Sequence, residues 1–227
     1  AIMVMCIITI PTLAQKKAKT TPEVDKFAGL DTAFERVLKD QLAAGFAVAV
    51  VEKNKVIYAK GFGYRDVEKK LPVTPNTLFA IGSCTKAFTS SLIGLLQKDN
   101  KISLDKPARE YLPSLKFYND DMNRQITVRD LMSHRTGLPR HDYSWYLFKS
   151  NSRDSLLQRI AYQEPTFGIR ERWQYNNFMF LVQGMIAEKI TGKNWEENIS
   201  SQIFKPLGMT RSNFTVKEME SSDDAAL

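Results

Sequence analysis

The 227-residue chain has little of what metal and redox centres are made from: two cysteines, Cys6 and Cys84, and two histidines, His134 and His141. No paired-histidine spacing accompanies them, which argues against a protein-bound metal, and nothing points to a cofactor. A membrane span is lacking as well. A helix needs about 20 apolar residues to cross a bilayer, and the run "AIMVMCIITIPTLA" falls short of that. Charge of one sign is not concentrated. Lysine and arginine outnumber aspartate and glutamate 32 to 25, a formal +7, yet stretches such as "VEKNKVIYAKGFGYRDVEKK" interleave the two signs. That is the pattern of a solvated face, and no nucleic-acid partner is expected. Internal repeats and low-complexity segments are absent too.

What is present begins at the N-terminus. The apolar run closes in Thr12-Leu13-Ala14, a small-x-Ala pattern, before the polar "QKKAKTT". It reads as the apolar region and cleavage site of a secretory signal peptide over residues 1–14, the alternative being a buried strand. No lipobox precedes Cys6. With the peptide removed, Cys84 is the one remaining cysteine and no intrachain disulfide can form. The expected address is therefore a bacterial periplasm or the cell exterior. A linker over 15–22 and a single domain over 23–227 complete the expected layout.

Within that domain, "VDKFAGLDTAFERVLKDQLAAG" has helical spacing that ends at Gly45, and "FAVAVVEKNKVIYAKGFGYRD" reads as a β-hairpin turning at Lys53-Asn54-Lys55. A further strand is expected in "LPVTPNTLFAIGS". From Ser83 to about Asn100, Phe88, Leu92, Leu95 and Leu96 form one apolar face of a buried helix. "ITVRDLMSHRTGLP" predicts a short helix with a Thr127/Asp130 capping box and Gly137 as its C-cap. "NNFMFLVQGMIAEKITG" predicts another, closing at Gly192, and "VKEMESSDDAAL" reads as a polar tail without a closing element.

Two short motifs carry chemistry. Ser83 and Lys86 form Ser-x-x-Lys where a strand-like run meets the start of a helix. Alone this is weak, since on the order of one match is expected by chance in such a chain. The helix N-terminus there favours developing negative charge, and positions i and i+3 let the amine reach the hydroxyl. A desolvated lysine amine can also accept a proton. An N-cap serine beside a solvent-reaching lysine fits that stretch equally well. In "RWQYNNFMF", Tyr175 and Asn177 are two apart just before an apolar helix. A phenol near ammonium groups becomes acidic enough to shuttle a proton, and a carboxamide can grip a substrate amide. A core tyrosine beside a capping asparagine is the plainer alternative. A Ser83-His134-Asp142 triad is conceivable, but "IGSCT" is no Gly-x-Ser-x-Gly elbow. His134 reads more simply as pinning the turn after its helix, and Cys84 as packed inside the helix start.

Together with "ISLDKPAREYLPSL", "ITVRDLMSHRTGLP" and "IFKPLGMTRSNF", in this order, these motifs resemble the serine β-lactamase and penicillin-binding-protein superfamily. The likeness is to its class C and D-Ala-D-Ala carboxypeptidase-like branch, over roughly residues 24–214. The resemblance implies an α+β fold, an antiparallel sheet packed with helices plus a mostly helical region. It implies an exported serine hydrolase acting through an acyl-enzyme on a β-lactam, a peptidoglycan-derived D-Ala-D-Ala-type peptide or an ester. Ser83 would be the nucleophile, Lys86 its proton acceptor or activator, Tyr175 the general base and Asn177 the binder of the acyl-side amide, without metal or other cofactor. A catalytically silent peptidoglycan-binding or sensor protein is the alternative. The family's third motif, Lys or His, then Thr or Ser, then Gly, has no acceptable copy here; "KITG" at Lys189–Gly192 reads as a helix C-cap. The missing motif and strands are expected beyond a truncated C-terminus, leaving this chain alone inactive.

Overall fold

The computed structural model describes residues 26–226, so the expected signal peptide and linker lie outside the described residues. The chain divides into two compact units, one ending at Pro75 and one beginning at Asn76.

In the first unit, helix α1 (Leu30–Asp40) precedes a three-stranded antiparallel sheet of β1 (Gly45–Glu52), β2 (Lys55–Asp66) and β3 (Leu71–Pro72), in the order β1-β2-β3. Phe34 of α1 meets Phe46 of β1 and Phe62 of β2 at ring-centroid distances of 5.8 and 5.2 Å, which fixes the helix on one face of the sheet. The hairpin turns on Lys53 and Asn54, both with positive φ, the two-residue geometry whose twist suits the strands; Lys55 already belongs to β2. Gly45 does not cap α1. The helix stops at Asp40, and Gly45 opens β1 opposite Gly63. Gly63 has φ +72 and faces the Ala44 carbonyl, leaving no room for a Cβ.

The second unit is mostly helical. A 3₁₀ turn over Gly82–Cys84 leads into α2 (Thr85–Lys98), followed by α3 (Ala108–Tyr111), α4 (Asp120–Gln125), α5 (Val128–Met132), α6 (Tyr143–Tyr146) and α7 (Arg153–Arg159). Then come α8 (Phe178–Thr191), α9 (Trp195–Ile199) and α10 (Val216–Glu220). Its core gathers Leu92, Ile93 and Leu96 of α2, Leu131 of α5, Phe178, Val182 and Ile186 of α8 and Ile199 of α9, all fully buried. Helix α8 closes at Gly192 in the left-handed conformation, so the Lys189–Gly192 stretch is a helix end.

Four further expectations change. Only Leu71–Pro72 of the run before Ser83 joins the sheet, while Leu78 forms an isolated parallel bridge with Ala225. The polar tail is accordingly folded: α10 is closed by a Thr215/Glu218 capping box, and Thr77 Oγ1 donates to Asp224 Oδ1 at 2.6 Å. Gly137 is not the C-cap of α5. The helix ends at Met132, His134 takes the positive φ, and Gly137 (φ +85) instead admits the close approach of the Phe167 carbonyl. Cys84 is exposed, not packed, because the 3₁₀ turn carries it off the core face of α2.

The Thr127/Asp130 capping box forms as expected. Asp130 is buried, and burial raises its carboxyl. The Arg170 guanidinium, bonded at 2.9 and 2.7 Å, and the Thr127 donors outweigh that and hold it below the usual carboxylate range. Arg170→Met should therefore cost about 3 kcal/mol in urea unfolding by stranding a buried carboxylate. A loss under about 1 kcal/mol would mean that Thr127 alone satisfies Asp130.

Candidate active site

Ser83 enters the site from the 3₁₀ turn and Lys86 from the first turn of α2; their Oγ and Nζ are 3.2 Å apart. Tyr175 and Asn177 come from the segment that leads into α8. Tyr175 Oη lies 2.5 Å from Ser83 Oγ. Lys86 Nζ donates to Tyr175 Oη at 2.6 Å and to Asn177 Oδ1 at 2.5 Å. All four residues singled out in the sequence thus meet at one ammonium. Three acceptors take all three of its N–H donors, and it also lies 4.7 Å from the Tyr175 ring centroid and 5.4 Å from that of Phe180.

Burial pushes the Tyr175 phenol upward. Hydrogen bonds with Lys86 and Ser83, and the charges of Lys86 and Arg140, outweigh burial and hold the phenol below its ordinary value. Arg140 stands over the Tyr175 ring at 5.0 Å and pairs with Asp142 at 2.5 Å. Asp142 in turn accepts from Asn177 Nδ2 at 3.2 Å. The Asn177 carboxamide is thereby oriented from both ends, its oxygen toward an ammonium and its nitrogen toward a carboxylate. The reverse orientation would set donor against donor.

The loop that presents Tyr175 is held from behind. Gln174 N–H donates to the His134 carbonyl at 2.9 Å and Asn176 N–H to His134 Nδ1 at 3.2 Å. Asn176 is fully buried, donating to the Pro139 carbonyl at 2.7 Å and to Gln163 Oε1 at 3.2 Å, and accepting from Phe178 N–H at 2.9 Å. The His134 ring packs on Tyr175 at 4.7 Å. Burial, helped by the Lys86 charge, lowers its pKa, so the imidazole stays neutral. No Ser83-His134-Asp142 triad assembles, since His134 Nδ1 accepts a backbone N–H and Asp142 is bonded to Arg140 and Asn177. Arg140 and Asn176 were not singled out from the sequence. Asn176 is the middle residue of "YNN" and alternation turns it inward, whereas nothing in "PRHD" marks Arg140.

Among the described residues, no group of three His, Cys, Asp or Glu side chains could hold a metal ion, and no helix is long and apolar enough to cross a membrane.

The family described as Beta-lactamase matches residues 30–227. Protein flp of Staphylococcus aureus (strain COL) is 29% identical over 198 residues, covering 86% of this chain and 40% of that protein. An unguisins hydrolase of Aspergillus campestris is 32% identical over 206 residues, covering 85% and 38%. Among solved structures, the octameric penicillin-binding protein homologue from Pyrococcus abyssi superimposes with a TM-score of 0.77 at 29% identity, over 89% of this chain and 47% of that one. The chain thus spans about two-fifths of the length of these curated relatives.

Two measurements test the electrostatics. Arg140→Gln should move the Tyr175 titration, followed by ¹³Cζ-tyrosine NMR, to higher pH; an unmoved titration would mean that the guanidinium charge does not reach the phenol. Because His134 has its folded pKa below its unfolded value of about 6.5, its contribution to stability is present above pH ~6.5 and lost as pH falls toward the folded pKa. The drop in unfolding free energy between pH 7 and 5 should therefore be smaller in His134→Gln, measured by urea titration at each pH.

Proposed function

The chain belongs to the Beta-lactamase family, and from there we propose that it carries the nucleophile-bearing part of an exported serine hydrolase. The substrate would be a β-lactam, a D-Ala-D-Ala-type peptide or an ester. The observation that carries the reading is the convergence of Ser83, Tyr175 and Asn177 on Lys86 Nζ, all within 3.2 Å. A helix-capping serine and a core tyrosine would have no reason to share one cation.

In the proposed reaction, Tyr175 in its phenolate form takes the Ser83 proton while Ser83 Oγ attacks the substrate carbonyl carbon. Lys86 spends its three N–H bonds on Ser83, Tyr175 and Asn177, so as an ammonium it offers no lone pair and acts by stabilising the phenolate. The backbone N–H of Ser83, in the 3₁₀ turn that leads into α2, supplies half of an oxyanion hole. As the carbonyl re-forms, the bond to the leaving group breaks and Tyr175 returns the proton to it, leaving acyl-Ser83. Tyr175 then takes a proton from water, whose oxygen attacks the acyl carbon; the bond to Ser83 Oγ breaks, Tyr175 returns the proton to Ser83, and the acid leaves. Asn177, held by Asp142, offers its carboxamide to the acyl-side amide. Export to the periplasm or cell exterior rests on the apolar run before Gln15.

A fluorescent penicillin and a fluorophosphonate probe test this on the intact protein. Labelling should vanish in Ser83→Ala and slow about 10³-fold in Tyr175→Phe. Labelling that survives Ser83→Ala sinks the proposal, and reversible binding without any labelling would favour a silent sensor.

A further inference from the structure

The substrate's acyl side can be read from the cleft beside Ser83, resting on the proposed role of that serine as nucleophile. The cleft holds about 480 Å³, within the range of small-molecule sites, with Ser83, Lys86 and Asn177 among its lining residues. Its walls are apolar and wide: Trp145, Phe180, Leu181, Met185 and Trp195. We propose that it receives a bulky apolar group, an aromatic ring above all, on the acyl side of the substrate.

Three observations carry the proposal. First, the walls are pre-set. Trp195 Nε1 donates to Thr89 Oγ1 at 3.1 Å, so its polar tip is satisfied within the protein and its ring faces Gly184, where a Cβ would come within 3.3 Å of the indole. Trp145 is stacked on buried Phe178 at 5.1 Å and 19°. A ligand entering between them pays little ordering cost. Second, the cleft offers no countercharge for a charged acyl group. Lys86 is occupied as described, and Arg153, the other cation in the lining, is bonded to both Glu188 and Glu196. Third, the cleft lies on the acyl side. The leaving group must approach Tyr175, which returns its proton, and Tyr175 lines a separate depression with Arg140, Trp173 and Gln174 instead of this one. Asn177, assigned to the acyl-side amide, lines the cleft itself.

The test compares p-nitrophenyl acetate with p-nitrophenyl phenylacetate on the intact protein, the leaving group being constant. After correction for the hydroxide-catalysed ratio, kcat/KM should favour phenylacetate by about 30-fold or more. Leu181→Trp, which fills the cleft from α8, should collapse that preference several-fold at an unchanged unfolding midpoint; if that variant is unstable, the smaller Leu181→Phe serves instead. Hydrolysis of both esters at the hydroxide-corrected ratio overturns the cleft proposal and leaves Ser83 as nucleophile. If neither ester turns over and no probe labels Ser83, the reading of Ser83 fails. Calorimetry of 4-phenylbutyramide with Ser83→Ala protein then decides the cleft: binding that Leu181→Trp abolishes supports it, and no binding overturns it.

Discussion

The site depends on how residues 173–177 dock against the turn after α5. Two backbone N–H groups, from Gln174 and Asn176, are spent on one residue, His134, which accepts with its carbonyl and its ring nitrogen. Because His134 adopts a positive φ, its carbonyl and its ring can serve the same approaching segment. Asn176 locks the arrangement from the buried side through Pro139 and Gln163. With that residue committed inward, its neighbours Tyr175 and Asn177 are turned toward α2. Ordinary backbone hydrogen bonding therefore places the phenol and the carboxamide where an ammonium can hold both.

The same logic extends outward. Arg170 donates its backbone N–H to the Arg135 carbonyl at 2.8 Å and pairs with Asp130, the third residue of α5, which completes the capping box with Thr127. A helix of five residues has too few internal bonds to hold itself. Its cap, its buried carboxylate and the segment beyond residue 166 support one another, and His134 is the hinge point of the group. The fold and the site are thus joined through the five-residue α5, while α2 and α8 supply the apolar mass behind it.

Much of this could be read from residue order. Ser83 with Lys86, and Tyr175 with Asn177, were visible because each pair is a short motif of fixed spacing, and the Thr127/Asp130 box because a cap is a local device. The α+β class and the long helices followed from apolar spacing in α2 and from the nearly continuous apolar content of α8. What escaped was non-local. Gly45 and Gly137 resemble helix stops, yet each is set by a backbone packed against it from elsewhere in its unit, Gly63 in one case and Phe167 in the other. Arg140 tunes the phenol from an irregular loop, where no periodicity reports its position. The tail looked unstructured because its partner, Thr77–Leu78, lies so far back along the chain.

That pairing has a consequence in time. Thr77 and Asp224 are 147 residues apart, and the Leu78–Ala225 bridge fastens the segment that feeds the Ser83 turn. On a ribosome adding residues one by one, this clasp cannot close until position 225 has emerged from the tunnel, some seconds after Ser83 does. A contact of such sequence separation is also among the slowest to form. Ser83 is therefore made early and its turn secured late, so a nascent chain passes through an interval in which that turn is not yet fastened.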